Sequence, residues 1–143
     1  MREGSTRLDA CNCFATRQAA RHITRLYERH LSGAQLTSAQ FSILVLLDEK
    51  PDVTMNELAR ALVMDRTTLL RATRPLQREG LVRKERSAND TRQLVFSLSP
   101  AGQRNLRHAM RLWQDAQTEF EAQVGSDHAA RLRRELLTLA RPV

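Results

Sequence analysis

The sequence predicts a mainly α-helical chain with one small β-hairpin, and composition and periodicity both favour this fold class. Apolar residues make up 41% of the 143 residues, aromatic residues only 4%, and glycine and proline number five and four. This balance favours helices over a sandwich or barrel of short strands. Apolar positions recur at steps of three and four residues, which is typical of amphipathic helices. Alternation of apolar and polar residues around 93–98 indicates the hairpin.

Length and composition also restrict domain organisation and protein class. A chain of this length corresponds to about one domain, so we predict a single domain over 1–143. Two cysteines, Cys11 and Cys13, are too few for a disulfide-framed secreted domain. No apolar run approaches the roughly 20 residues of a membrane span, and the N-terminus leads into no apolar signal core. We therefore expect a cytoplasmic protein without a membrane partner.

The helices of the first half are predicted from apolar spacing and capping residues. An amphipathic helix covers about 8–31 and carries arginines on its polar face. Thr37 and Gln40 form a capping box that starts a second helix. Residues 41–47 are apolar nearly all round, so we expect this second helix to be central and buried.

Two short helices and a hairpin follow. Thr54 and Glu57 form a second capping box, and after a turn at 63–64 Asp65 caps a helix that ends at Gly80. Pro75 lies inside this helix, where we expect a kink or a loosened turn. Strands at 81–86 and 93–98, joined by turn residues, place a wing directly after a helix-turn-helix. The predicted core over about 37–98 is therefore a winged helix-turn-helix.

Long helices at both ends of the chain point to a second copy as partner. Ser99 and Pro100 start a long helix, and a break at Gly125 separates it from a last one. These helices, at about 8–31 and 100–141, are too long to be covered by the winged core. We expect them to form a homodimer with a largely apolar interface, as in obligate dimers. The alternative is that the first and last helices pack together within one monomer.

Positive charge is concentrated in the winged core. The formal net charge is +7, and residues 60–92, with nine basic and four acidic side chains, supply five of these seven charges. All basic residues except Lys50 and Lys84 are arginines, which bind phosphates and guanines bidentately. Double-stranded DNA is therefore the expected partner. A genome-wide bias towards arginine is the alternative explanation of the excess.

These motifs resemble the MarR family of bacterial transcription regulators over about 8–141. The resemblance rests on the helix order and on five segments, at 36–44, 56–59, 79–83, 89–92 and 98–102. Asp90 and Arg92 in the hairpin turn form the most specific of these motifs, whereas 72–75 depart from the usual pattern. The resemblance implies a homodimer that binds a pseudo-palindromic operator and commonly represses. It also implies release of DNA by a small anionic or aromatic ligand or by oxidation of a cysteine.

The predicted DNA contacts lie on the helix capped by Asp65 and on the hairpin. The helix offers side chains that can read base edges in the major groove, namely Arg66, Thr67, Thr68, Arg71 and Arg74. On the hairpin, Arg92 can enter a narrow minor groove with Asp90 orienting its guanidinium, and Lys84 and Arg86 lie near the DNA backbone. For each arginine the alternative is a solvated surface position.

Catalytic and metal-binding motifs are missing from the sequence. It contains no phosphate-binding glycine loop, nucleophile elbow or His-Glu-x-x-His, and its four histidines lack metal-ligand spacing. Cys11 and Cys13, placed on a predicted helix, would point about 200° apart. They could then neither chelate one ion nor form a disulfide without unwinding. We predict no enzyme activity, no cofactor and no metal.

Cys13 is the candidate redox residue. The resemblance includes a peroxide-sensing branch in which a cysteine near the start of the first helix is held by two tyrosines. Tyr27 matches one of them by spacing, and Arg17 stands where the other is expected. A nearby guanidinium and a helix N-terminus lower the pKa of a thiol. The alternatives are a structural cysteine and a ligand site between the end helices and the core, with Arg17 or Arg21 as counter-charge.

Two other functions are consistent with the sequence. One is a weakly specific DNA-binding protein of architectural or activating type. The other is a ligand-binding helical dimer without operator function.

Overall fold

A computed structural model describes residues 6–140, and its elements confirm a mainly helical chain with a small antiparallel sheet. Short 3-10 turns lie at Arg7–Ala10 and Ser32–Ala34. The main elements are α1 (Asn12–Leu31), α2 (Ser38–Glu49), β1 (Val53–Thr54), α3 (Met55–Leu62), α4 (Arg66–Arg78), β2 (Val82–Arg86), β3 (Leu94–Leu98), α5 (Pro100–Val124) and α6 (Ser126–Ala140). The parts of the predicted domain at 1–5 and 141–143 lie outside the described residues.

The start of the first helix differs from the prediction. Thr6 and Asp9 form a capping box that starts a separate 3-10 turn, and Cys11 then adopts an extended conformation with φ −90° and ψ 114°. Its Sγ accepts a hydrogen bond from the backbone N–H of Phe14 at 3.4 Å. The expectation that Cys11 and Cys13 both lie on the helix was therefore wrong. Cys11 is the N-cap, and α1 begins at Asn12.

The helix α2 is the buried centre of the fold, as predicted from its apolar sequence. Ile43 and Leu44 have no exposed surface, and α2 contacts α1, α3, α4, α5 and β3. Both hydrogen bonds of the Thr37–Gln40 capping box are present. The second predicted capping box is only half formed. The Thr54 hydroxyl accepts from the Glu57 N–H, but the Glu57 carboxylate accepts from Lys50 Nζ at 2.5 Å.

The helix α4 is continuous through Pro75, so the proline does not interrupt it. Thr73, one turn before its end, is fully buried, and its hydroxyl donates to the Leu69 carbonyl at 3.0 Å. After the helix, Gly80 has a φ of 71°, which confirms the predicted left-handed stop.

The hairpin forms part of a three-stranded antiparallel sheet in the order β1-β3-β2. The strands β2 and β3 pair from Val82 opposite Leu98 to Arg86 opposite Leu94. The short strand β1 was not predicted, because its two residues are extended only through pairing with β3. Val95 is 5% exposed and Leu94 42% exposed, so the buried stretch of β3 does not follow the simple alternation in the sequence. The reason is that α2, α3 and α5 all contact β3, whereas Leu94 lies towards the wing tip.

The end helices pack together within the chain only in part. The Tyr27 hydroxyl donates to Gln117 Oε1, and Arg29 and His30 each approach Glu119 Oε2 at 3.3 Å. In contrast, every residue of 12–22 except Phe14 is exposed. Three leucines of α6 are also exposed, with Leu136 at 43%, Leu137 at 53% and Leu139 at 83%. Within residues 6–140, none of the helices is long and apolar enough to cross a membrane.

We predict that Val63→Gly stabilises the protein by about 1 kcal/mol. Val63 has a φ of 52° and is 68% exposed, so it combines backbone strain with little burial. Left-handed strain costs about 1–3 kcal/mol in a non-glycine residue, and the added freedom of glycine in the unfolded chain offsets up to about 1 kcal/mol of the gain. Urea unfolding measures the difference, with Val63→Ala as control. A glycine variant less stable than the alanine variant would contradict the strain argument.

Candidate nucleic-acid interface

One face of α4 carries three arginines and a threonine. At about 100° per residue, Thr67, Arg71, Arg74 and Arg78 fall within roughly 60° of one another. All four are exposed, whereas Leu69 and its neighbours on the opposite face are buried. This face spans about 16 Å along the helix axis at a rise of about 1.5 Å per residue. Its length and charge suit a segment of DNA groove.

The predicted DNA contacts and the residues of this face do not fully coincide. Two predicted contacts lie beside the face, and one residue of the face was not among the predicted contacts. Arg66 and Thr68 are exposed in the first turn but lie roughly 90–110° to either side of the face centre. Arg78 lies on the face, one turn beyond Arg74. Arg78 could have been identified from the sequence, because steps of three and four residues from Arg71 to Arg74 and on to Arg78 place all three on one side of a helix.

Asp65 fixes the N-terminus of α4, as predicted. Its Oδ1 accepts a hydrogen bond from the backbone N–H of Thr68 at 2.7 Å. This bond, together with hydrogen bonding from the Thr68 side chain, lowers the pKa of the Asp65 carboxyl. The charged carboxylate also lies at the positive end of the helix dipole, which favours the ionised form. The first turn of α4 is therefore held in place by a negatively charged cap.

The wing tip is organised by hydrogen bonds between its own residues. Asp90 Oδ1 accepts from the backbone N–H of Arg92 at 3.0 Å, and within residues 6–140 no ion pair joins it to the Arg92 guanidinium. Asp90 therefore contacts the backbone of Arg92 and not the guanidinium that it was expected to orient. Arg86 Nη1 donates to the Thr91 carbonyl at 2.7 Å, so this arginine braces the turn.

Lys84 and Arg92 differ in how freely they can reach a partner. Lys84 Nζ lies 5.8 Å from the centroid of the Phe96 ring, in a cation–π arrangement at the base of the wing. Arg92 is exposed at the tip. Of the predicted hairpin contacts, Arg92 is therefore best placed to enter a groove, and Lys84 lies nearer the body of the protein.

The arginines of this surface are not held in ion pairs within the described chain. Three ion pairs occur among residues 6–140, and they join Arg29 and His30 to Glu119 and Lys50 to Glu57. None includes an arginine of α4 or of the wing. Apart from Arg86, which donates to the Thr91 carbonyl, these guanidinium groups keep their donors for an external anion.

The predicted redox and ligand residues do not form a single site within one chain. Cys13, Arg17 and Arg21 are exposed on the first half of α1. Tyr27 lies fourteen residues, or about 21 Å, further along the same helix. Burial raises the pKa of Tyr27, and Glu121 adds to this effect while Arg133 opposes it. Its protonated hydroxyl donates to Gln117. Among residues 6–140, no three His, Cys, Asp or Glu side chains form a cluster suited to a metal ion.

Comparisons with known proteins agree with this architecture. The family model described as MarR family matches residues 36–94. The "Organic hydroperoxide resistance transcriptional regulator" of Bacillus subtilis (strain 168) is 29% identical over 90 residues, which cover 63% of this chain and 61% of that protein. The chain spans 61%, 52% and 61% of the lengths of three curated relatives that it matches.

Two solved structures cover nearly the whole chain. The transcriptional regulator MosR of M. tuberculosis in complex with DNA is 38% identical, has a TM-score of 0.80, and covers 91% of this chain and 93% of its own. The transcriptional repressor CouR bound to p-coumaroyl-CoA is 26% identical, has a TM-score of 0.86, and covers 97% and 98%.

We predict that Asp65→Asn removes an acid-sensitive contribution to stability. The pKa of Asp65 is lowered in the folded state, so the stabilisation is present above the unfolded pKa of about 3.9 and is lost as pH falls through the folded value. Asparagine can still cap the helix but carries no charge. Urea unfolding at pH 7, 5 and 3 should show wild type more stable at pH 7 and the difference between the two proteins becoming smaller as pH falls to 3. A difference that does not change with pH would contradict the charged-cap argument.

Proposed function

Because the chain belongs to the MarR family, we propose that it is a homodimeric, sequence-specific DNA-binding regulator of transcription that acts as a repressor. The observation that carries the proposal is the α4 face with Arg71, Arg74 and Arg78, which have no acidic partner within residues 6–140. When guanidinium groups lose water on binding, they need anionic or carbonyl acceptors in its place. The DNA major groove offers both phosphates and guanine edges. The proposed role is binding, with no catalytic step.

In the proposed complex, α4 lies in the major groove and the wing reaches the adjacent minor groove. Thr67 and Arg71 near the N-terminal end of the face would contact base edges. Arg78 at the other end would contact the phosphate backbone, since a groove curves away from a straight helix. Arg92 would insert into the minor groove, held by the turn that Asp90 and Arg86 stabilise.

The proposed dimer rests on the unpartnered surfaces of the end helices. Apart from the half-buried Phe14, the residues of α1 at 12–22 are exposed, and they include Ala15, Ala19 and Ala20. A groove of about 250 Å³ lies between α1, α5 and α6 and is lined mainly by apolar side chains, including Ile23, Phe120, Leu132, Leu136 and Leu137. Burying these surfaces against a second copy removes apolar area from water, which is the main driving force of association.

Two forms of regulation are proposed for the dimer. A small anionic or aromatic ligand could bind between the end helices and the winged core, with Arg17 or Arg21 as counter-charge; CouR, which shares this fold, binds p-coumaroyl-CoA. Alternatively, oxidation of Cys13 could release DNA. The exposure of Cys13 on α1 and the similarity to a hydroperoxide resistance regulator support the redox form.

The first prediction for this function is that Arg92→Ala weakens operator binding while the dimer stays folded. The reason is that Arg92 is exposed at the wing tip and contributes nothing to the core. A duplex selected by the wild-type protein from a random-sequence pool serves as operator. Wild type should prefer it to unrelated DNA by roughly 10³ or more.

Arg134→Ala is the matched control, because it removes the same charge from an exposed position on α6. It should leave affinity close to that of wild type. Gel shift, thermal unfolding and sedimentation are measured on all three proteins. Equal affinity of the Arg92→Ala protein and wild type would rule out the wing contact. An absence of preference for the selected duplex would favour the weakly specific or ligand-binding alternatives.

The second prediction concerns redox release. An organic hydroperoxide should oxidise the Cys13 thiol to sulfenic acid and be reduced to the alcohol. The added oxygen would disturb the packing of α1 in the dimer, so operator affinity should fall and recover with a thiol reductant. Cys13→Ser should keep its affinity under peroxide, and Cys11→Ser should respond as wild type does. If wild type keeps its affinity, or Cys13→Ser loses affinity equally, the redox form is excluded and ligand release remains.

A further inference from the structure

We propose that Ser99 is a positioning residue that fixes the angle between α4 and α5, and with it the distance between the two DNA-reading helices of the dimer. The inference rests on the proposed DNA-binding function and names the residue that sets its half-site spacing. Ser99 was predicted only as the cap of α5, and its position gives it a second set of contacts.

The Ser99 side chain joins three parts of the chain. It is 6% exposed, and its Oγ accepts a hydrogen bond from the Gly102 N–H at 3.0 Å, which caps α5. The same hydroxyl lies 2.5 Å from the Gly80 carbonyl oxygen and 3.2 Å from that of Leu81, to which it can donate. The Ser99 backbone N–H also donates to the Leu81 carbonyl at 3.0 Å. The first turn of α5 is thereby attached to the residues that end α4.

Gly102 allows the backbone of α5 to lie close to the backbone of Leu81. It is buried, and a Cβ at this position would collide with the Leu81 carbonyl oxygen. The α5 backbone therefore approaches the backbone of Leu81 directly, with no side chain between them. Main-chain atoms lack the rotamer freedom of side chains. A change in the orientation of α5 is therefore passed directly to the backbone at the end of α4.

On the other side of this junction, α4 and α5 are separated by a pocket. The pocket has a volume of about 140 Å³ and is bounded by the end of α4, the segment 34–40 and α5, with Gln35, Pro75, Glu79 and Asn105 among its lining residues. Asn105 Oδ1 is buried there without a hydrogen-bond donor among residues 6–140. The contacts at Ser99 and Gly102 thus act as a pivot, and the pocket leaves room for rotation about it.

Rotation at this pivot changes what the dimer can bind. The helix α5 belongs to the dimer helices, whereas α4 carries the DNA-reading face. Half-sites on DNA lie about one helical turn apart, and inserting one base pair moves them by about 3.4 Å and rotates them by about 35°. A fixed α4–α5 angle makes the dimer sensitive to such an insertion. A loosened angle allows it to adapt.

The experiment measures affinity for the selected operator and for duplexes with one base pair inserted or removed between the half-sites. Wild type should lose about tenfold or more for either change, comparable to one mismatched base pair. Ser99→Ala should lose less than about threefold, because its hydroxyl no longer holds Gly80. Ser99→Thr, which restores the hydroxyl, should recover the steep dependence on spacing.

Thr54→Ala is the matched control, since it also removes a helix N-cap but lies wholly within the winged core. It should lower stability and keep the wild-type dependence on spacing. A Ser99→Ala protein that keeps that dependence, with affinity lowered equally for all spacings, would overturn this inference alone. Wild-type protein that shows no preference for the operator, or that protects one half-site as a monomer, would overturn the proposed function and this inference together.

Discussion

The burial of α2 is the constraint on which the other elements depend. This twelve-residue helix contacts α1 and α5 among the end helices and α3, α4 and β3 in the winged core. Ile43 and Leu44 have no exposed surface, and burying each such side chain contributes about 1.5–3 kcal/mol. The end helices and the winged core are therefore packed against one element. Since neither side can move far without opening the core around α2, relative motion is confined to small rotations.

Local signals account for most of what could be predicted from the sequence. The caps at Thr37, Asp65 and Ser99 and the left-handed Gly80 depend on hydrogen bonds between residues no more than a few positions apart, so their residue types identify them. The strand β1 could not be predicted, because two residues have no periodicity and their extended shape comes from pairing with residues forty positions away. The start of α1 was misplaced because the Thr6–Asp9 box competes with the helix for the same residues.

The charges of the candidate DNA-binding surface could be predicted from the sequence, but the arrangement of its side chains could not. Arginine enrichment after Asp65 was visible in the sequence, and grouping Arg78 with Arg71 required only the helical phase. The roles of Arg86 and Asp90 could not be predicted, because one guanidinium can contact either a phosphate or a nearby carbonyl, and the turn conformation decides between them. Ser99 shows the same limit: a capping serine is evident from its neighbours in sequence, whereas its contact with Gly80, nineteen residues earlier, depends on the tertiary fold.

The arrangement also shows how a change at the far end of α1 can reach α4. Tyr27 links α1 to Gln117 of α5, and because burial raises the pKa of Tyr27, its hydroxyl keeps donating this bond into more alkaline solution than an ordinary tyrosine would. The pairs with Glu119 hold the next turn. A helix transmits displacement along its axis because its hydrogen bonds leave little freedom to compress. Under the proposed function, a shift of α1 is passed to α5 through these contacts, and it reaches α4 through the contacts of Ser99 and Gly102 with Gly80 and Leu81. Under the proposed function, a redox signal and a ligand act at different places on the dimer helices. Both reach α4 through the same contacts of Ser99 and Gly102.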